Sequence, residues 1–333
     1  MKITVLGSGG WGTALALLLL ENGNQVVLWS YCQEESDVLQ ANHENPMLKG
    51  VPLPPELELT ADMSCVTDSE VVILATPSFA VRSTAAQLAK LAQPGTVIVS
   101  VGKGFEKGTT LRLSQVIESE VDASCPVVVL CGPTHAEEVG RGIPSAIVAA
   151  SENKEAAERV QDIFMSPRFR VYTSSDVVGC EIGAALKNVI ALCAGVVDGM
   201  GYGDNTRAML MTRGLTEIAR LGSAMGGHQR TFAGLTGVGD LIVTCTSVHS
   251  RNHRAGILIG QGVDPQEAVK RIGAVVEGYY AAETGMELAK KYGVELPITQ
   301  AAYEVLYEGK TVPEVFNALM TRRKNHEVED AWV

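Results

Sequence analysis

The chain is short of positive charge. Its 333 residues carry 27 Lys and Arg against 38 Asp and Glu, a net charge of −11. A nucleic-acid partner requires a basic patch or stripe, so that class of partner is not expected. An anionic small molecule stays open, because a few local cations suffice for it. The seven cysteines include no C-x-x-C pair, and their odd, unpatterned count reads as reduced thiols of a cytoplasmic protein. There is no Pro- or Ser-rich linker, no internal repeat and no low-complexity tract. No apolar run reaches the roughly 18 residues of a membrane helix. The nearest, 182–197, contains Lys187 and Asn188. Leu15–Leu20 lacks the basic flank and the cleavage site of a signal peptide, and reads instead as part of a first helix.

What is present divides the chain in two, as its length allows. The first half alternates short apolar runs with helical patterns. Strands are expected at Lys2–Leu6, Gln25–Trp29, Val71–Ala75, Thr96–Val101, Val127–Leu130 and Ala146–Ala150, with Arg168–Tyr172 as a last one. Helices such as Gly10–Asn22 and Phe79–Leu91 lie between them. That alternation implies a parallel α/β sheet covered on both faces. From about residue 180 helical periodicity takes over, at 180–197, 206–224, 252–260, 265–272, 278–291, 297–307 and 312–320. We expect an α/β doubly wound Rossmann domain over 1–179 and an all-α domain over 180–333, packed tightly together. The polar end, 325–333, is expected to fray.

Gly7-Ser-Gly9-Gly10-Trp11-Gly12 fits G-x-G-x-x-G. The pattern alone is weak, but here it follows a strand and opens a helix, the context a dinucleotide-binding turn requires. Gly7 would make the tight turn, Gly9 would admit a pyrophosphate, and Gly12 would let helix and strand pack closely. NAD-preferring turns usually carry an acid at the end of the second strand. Here that strand ends Leu28-Trp29-Ser30-Tyr31, with Glu34 and Glu35 a few residues on. The missing acid would tolerate a 2′-phosphate, so NADPH is expected, with NADH possible.

The most informative residue is Lys187, the only charged side chain in the apolar run 182–197. A helix apolar all round belongs in an interior. An ammonium there is costly and its pKa falls readily, which suits a group that moves a proton. Gly183, Ala191 and Gly195 share its face and would leave space beside it; close helix packing with the amine reaching out to water is the competing explanation. No acid on the same helix is placed to pair with the amine.

Three further clusters look chemical. Gly102-Lys103-Gly104 follows a strand, where ligands of doubly wound sheets bind. Asp240, after Gly237-Val-Gly239, borders an apolar run that leads to Thr244, and could hold Lys187 or simply cap a helix. Ser250-Arg251-Asn252 could cap a helix running to Gly260 and present its amides to an anion. His249 and His253 stand four apart, but no further ligand completes a metal site, and both read as polar loop residues. His135 is placed near a strand end, lining the cleft.

In this order the motifs closely resemble the bacterial NAD(P)-dependent glycerol-3-phosphate dehydrogenase family, from Gly7 to about residue 320. They include Gly132-Pro-Thr134, Leu186-Lys-Asn188 and Val275-Val-Glu277-Gly278. The resemblance implies a Rossmann domain, and a C-terminal domain of the 6-phosphogluconate dehydrogenase C-terminal-like type. It implies reversible reduction of dihydroxyacetone phosphate to sn-glycerol 3-phosphate for phospholipid synthesis, in a homodimer without metal. By resemblance, Lys187 would donate and accept the proton. Lys103, Asp240, Thr244 and Asn188 would surround the reacting oxygens. Ser250, Arg251 and Asn252 would hold the phosphate, while Gly132 and Thr134 touch the substrate. Gly10, Trp11, Tyr31, Lys103, Ala136, Arg251, Val275 and Glu277 would join the glycine turn in holding the cofactor. His135, Ala184 and Ala274 stand where Phe, Gly and Gln are common in the family. A lysine-dependent reductase of the ketopantoate or 3-hydroxyacid type is the alternative enzyme, and it should lack the Ser-Arg-Asn site. A non-catalytic dinucleotide sensor is the alternative class, with no need of Lys187.

Overall fold

The computed structural model describes residues 1–324, 326 and 327. Most of the end expected to fray therefore lies outside the described residues. An eight-stranded sheet is built from β1 (Lys2–Leu6), β2 (Gln25–Trp29), β3 (Glu58–Thr60), β4 (Val71–Leu74), β5 (Val97–Ser100), β6 (Val127–Cys131), β7 (Ser145–Ala150) and β8 (Phe169–Ser174). Its order is β3-β2-β1-β4-β5-β6-β7-β8. Alternate side chains of the central strands feed opposite faces, as the pleat requires. Val71 and Ile73 join Ile3, Val5 and Leu15 on one face, while Val72 and Leu74 join Leu6 and Ile98 on the other. A strand buried on both sides reads as continuous apolar sequence, which is why these runs were visible in the chain.

Two features depart from the expected parallel sheet. β3 has only three residues and gives no apolar run to notice. β6 and β7 pair antiparallel, Val129 against Ala150. The 132–144 connection holds only the short helix Ala136–Gly140 and re-enters at the edge where β6 ends.

The carboxyl ends of β1, β4, β5 and β6 lie on one edge, because these strands are mutually parallel. The chain reverses its order of addition between β1 and β4, and a crevice forms outside the strands at such a point. Residues 7–12, 75–78, 102–104 and 132–134 all leave the sheet there.

Beyond β8 the described residues are helical. Val177–Gly199 runs through the centre of the second core, with Ile182, Val189, Ile190 and Leu192 buried. Asp176 caps it, its Oδ1 accepting the Gly179 N–H at 2.8 Å. At 23 residues, with mean hydropathy 1.6 in its most apolar window, this helix is longer than the sequence reading allowed and could cross a membrane by length and composition. Instead 83% of that window is buried within the molecule. Around it pack Asp204–Ala224, Arg251–Gly260, Glu277–Tyr292, Pro297–Tyr307 and shorter helices. Asp240–Thr246, expected only as an apolar run, is also helical.

The small-residue face of the central helix does not leave the space expected of it. A Cβ on Gly195 would stand 2.0 Å from the His253 carbonyl oxygen, and one on Gly256 would stand 2.0 Å from that of Leu192. The helices cross with their backbones touching, so the close packing of the competing explanation holds, but the Lys187 amine stays buried and does not reach water. Gly195→Val should therefore destabilise the protein by about 3 kcal/mol or more, as forced overpacking of backbone against backbone does. Chemical denaturation would measure this, and an unchanged midpoint would show that the crossing yields easily.

Candidate active site

The glycine turn after β1 is shaped by close approach. Gly7 has φ +121°, and a Cβ on it would lie 2.7 Å from the Ala75 oxygen. A Cβ on Gly12 would lie 2.0 Å from the oxygen of Gly7. Gly9 differs: a Cβ there would meet nothing within 4 Å. The helix Gly10–Glu21 begins with no side-chain cap, so no side chain occupies its first amides. Free amides at a helix N-terminus attract phosphate. The residues present thus fit a dinucleotide pyrophosphate.

The other expected cofactor contacts gather near this turn with varied exposure. Trp11 packs on the β1 core, and Ala136 lies 3.7 Å from where a Gly10 Cβ would be. Tyr31 is 83% exposed at the end of β2, edge-on to Trp29. Glu34 and Glu35 lie in the first turn of the helix that follows. Val275 is half-buried, and Glu277 opens the Glu277–Tyr292 helix, its carboxylate accepting the Ser78 hydroxyl at 3.2 Å. Asn45 was missed. It is fully buried, donates to the Ser8 carbonyl at 2.8 Å and to Thr13 Oγ1 at 2.6 Å, and pins the turn from outside. A single asparagine in a loop carries no local sign of such a role.

Lys187, Lys103, Asp240 and Thr244 meet in one cluster, although the chain separates them by up to 141 residues (244 − 103). Lys187 is 4% exposed and Asp240 1%. One carboxylate oxygen of Asp240 accepts a hydrogen bond from Lys187 Nζ; the other accepts from Lys103 Nζ at 2.9 Å. Lys187 Nζ also donates to Thr244 Oγ1 at 2.7 Å, and that hydroxyl donates to the Asp240 carbonyl. Lys103 Nζ reaches the Gly132 carbonyl at 3.1 Å, and Thr134 Oγ1 donates to the same oxygen. A π-helical turn, Leu235–Gly239, delivers Asp240. The turn can lie against the central helix because a Cβ on Gly183 would stand 2.6 Å from the Thr236 oxygen.

The charges set the protonation. Burial pushes the Lys187 ammonium down to about 7; Asp240 opposes that shift and Lys103 adds to it. Burial would raise the Asp240 carboxyl, but Lys103 and Lys187 outweigh it and hold the group below its ordinary value. One anion between two cations keeps the cluster assembled while leaving one amine able to change state near neutral pH.

The second end of the site is the start of Arg251–Gly260. Ser250 caps it, its Oγ accepting the His253 N–H at 3.2 Å. Arg251 is exposed, and its charge reaches Glu277. The Asn252 carboxamide is already engaged: it donates to Asn188 Oδ1 at 3.0 Å and accepts from the Gly278 N–H at 2.8 Å. Its backbone N–H and the second hydrogen of its Nδ2 are what it can offer an anion. Asn188 is thereby tied to this helix and not to the lysine cluster. His253 corrects the sequence reading. It is a buried helical residue whose Nε2 meets Asp198 at 2.8 Å, whereas His249 is exposed beside the His135 ring, 5.9 Å away. His135 itself is half-buried, and burial, then the charge of Lys187, hold its pKa below the ordinary value.

A doubly wound sheet with an N-terminal glycine turn, set against a helical half that delivers a buried lysine to the same crevice, defines a nicotinamide-nucleotide-dependent dehydrogenase. Two family models match the chain: the N-terminus of NAD-dependent glycerol-3-phosphate dehydrogenase over residues 2–157, and its C-terminus over residues 176–317. The glycerol-3-phosphate dehydrogenase [NAD(P)+] of Desulfitobacterium hafniense is 50% identical over 330 residues, 99% of this chain and 94% of that protein. That of Bacillus pumilus is 52% identical, over 99% and 96%. The crystal structure of glycerol-3-phosphate dehydrogenase from Coxiella burnetii superposes with a TM-score of 0.92 at 37% identity, covering 96% of this chain and 99% of that one. The chain belongs to the NAD(P)-dependent glycerol-3-phosphate dehydrogenase family.

The depressed pKa of Lys187 has a consequence for stability. Between about 7 and the 10.5 of a free lysine, the unfolded chain carries a proton that the folded protein lacks. Stability contributed by this group therefore rises with pH across that window. Lys187→Met should lose the rise, so the stability gap between wild type and variant should tilt in favour of wild type as pH climbs from 7 to 10. Urea denaturation at several pH values would show it; parallel curves would mean that Lys187 is charged throughout.

Proposed function

We propose that the protein transfers hydride reversibly between NAD(P)H and dihydroxyacetone phosphate, giving sn-glycerol 3-phosphate. The observation that carries this is the buried amine of Lys187, near neutral in pKa, held between the dinucleotide crevice and the amide-rich start of the Arg251–Gly260 helix. In this reading residues 1–179 bind the dinucleotide, and residues 180–333 supply the amine and the phosphate site. The relatives' names, and the absence of an acid at the end of β2, support use of NADPH, with NADH also accepted.

The bound nicotinamide would supply the hydride to the ketone carbon, and the chain's own groups do the rest. As the carbonyl oxygen gains charge, the ammonium form of Lys187 stabilises it and then yields its proton. In the reverse direction the neutral amine takes the proton from the alcohol, which a pKa near 7 permits. Asp240 orients Lys187 and shares Lys103 with the Gly132 carbonyl, so both amines keep fixed positions. Thr244 fixes the Lys187 amine from its other side. The Ser250-capped amides of Arg251 and Asn252, with the Arg251 guanidinium, would hold the phosphate. That binding, away from the reacting carbon, positions the ketone. Membership of this family also supports a role in glycerophospholipid synthesis, in the cytoplasm and as a homodimer.

Purified protein should oxidise NADPH with dihydroxyacetone phosphate and fail with unphosphorylated dihydroxyacetone; comparable rates with both would favour a reductase without a phosphate site. Lys187→Ala should lower kcat by about a hundredfold or more while dinucleotide still binds. A drop of only a few-fold would remove its assigned role. Arg251→Ala should chiefly raise the substrate KM, and steady-state kinetics showing an unchanged KM would count against the anion site.

A further inference from the structure

The proposed chemistry uses Lys187 and Lys103 together, yet they come from opposite halves of the molecule. Lys103 sits on the 101–112 connection after β5; Lys187 sits on the Val177–Gly199 helix. Six residues before Lys187 on that helix is Glu181, 6% exposed and with no part in the lysine cluster. Its carboxylate is fully engaged across the join. Oε2 accepts Arg112 Nη1 at 2.5 Å and the Ser114 hydroxyl at 2.6 Å, and Oε1 accepts the Ser114 N–H at 2.9 Å.

Those partners anchor the far end of the Lys103 connection. Arg112 is the cap of the Leu113–Glu120 helix, and its own N–H donates to Gln115 Oε1 at 3.1 Å. Arg112 also forms a β-bridge with Phe105, which closes the 105–112 segment into a loop. Phe105, two residues after Lys103, is buried in the helical core. Leu113 packs where a Gly102 Cβ would be, at 2.8 Å. Both sides of Lys103 are therefore referenced to the element that Glu181 grips. A burial this complete is costly for a carboxylate unless every oxygen is satisfied, and here every bond goes to the end of this connection and the first turn of the helix that follows it.

We propose that Glu181 is a positioning residue that locks the Lys103 connection onto the helix bearing Lys187, and so sets the place of Lys103 beside Asp240. This rests on the dehydrogenase reading for its catalytic consequence, but the geometric claim stands apart from it. If the lock loosens, Lys103 withdraws from the cluster and leaves Asp240 to Lys187 alone. The groups facing Lys187 are Asp240, Lys103, Thr244, His135 and Cys245. Of these, Lys103 is the one the lock moves. Its loss removes a repulsion and strengthens an attraction, and both changes raise the Lys187 pKa.

The test is Glu181→Gln, which keeps the shape and one acceptor but drops the charge, together with Arg112→Lys, which attacks the same lock from the other half. The Lys187 amine is titrated by NMR in full-length, lysine-labelled protein, with Lys187→Met used for assignment. Both variants should move its midpoint upward by about half a pH unit or more. With glycerol 3-phosphate and NADP as substrates, the alkaline rise of kcat should move up in parallel. The value of kcat at neutral pH should fall by about tenfold, within the roughly hundredfold loss that misplacing a reacting group by about an ångström can cause, with NADPH affinity within about twofold of wild type. An unchanged Lys187 midpoint in variants that melt cooperatively overturns the proposal, whatever happens to rate. A shifted midpoint in a protein that never turns over dihydroxyacetone phosphate upholds the lock and overturns the substrate reading instead. Arg112→Lys remains decisive should Glu181→Gln fail to fold.

Discussion

Asp240 places one carboxylate between two ammonium groups from distant parts of the chain, and the geometry of the crevice follows from it. Two lysines this close, one buried and one half-buried, with no anion between them would repel each other and draw in water. With Asp240 present, Lys103 remains held against the Gly132 carbonyl while burial keeps Lys187 near the point of losing its proton. The carboxylate also ties the sheet edge to the helical half, since Lys103 leaves β5 and Asp240 opens a helix of the second half. Charge balance and interdomain geometry are here one constraint.

The helical half meets that constraint by removing side chains where backbones must touch. The π-helical turn before Asp240 lies against Gly183, and the Ser250-capped helix lies against Gly195. Both contacts fall within eight residues of Lys187 on the same helix. The small residues that flank the lysine therefore aim its partners at it; they do not open a chamber around it. The Asn188–Asn252–Gly278 hydrogen bonds extend the same arrangement to a third helix. His253 with Asp198 holds the Ser250-capped helix from behind.

The contrast between Lys187 and Glu181 shows how one helix can carry two buried charges of different kinds. Glu181 is surrounded by donors that do not move in any step of the proposed chemistry. Lys187 is held by one anion and one hydroxyl, with the Lys103 cation close by, and is correspondingly near to changing state. Burial is common to both, and the partners decide which charge is fixed and which is available.

Much of this protein is written locally. The glycine turn, the strands buried on both faces and the helical second half are legible because each depends on short-range periodicity or on residues a few positions apart. The lone lysine in an apolar run was legible for the same reason: only its own helix is needed to see that it is buried. β3 was too short to leave a pattern, and the antiparallel entry of β7 depends on the course of a connection rather than on the strand's own residues. Asp240 could be singled out, with Lys187 as one candidate partner, but that the same carboxylate also holds Lys103 could not. Asn45, Glu181, and His253 with Asp198 were invisible as partners, since each acts on a residue more than thirty positions away. The sequence by itself determined which segments are buried and which residues are chemically unusual there, because burial and periodicity are properties of a segment. Only the tertiary structure decided which charges meet. Pairing depends on the distance between elements, and here that distance is set by glycines that let backbones touch.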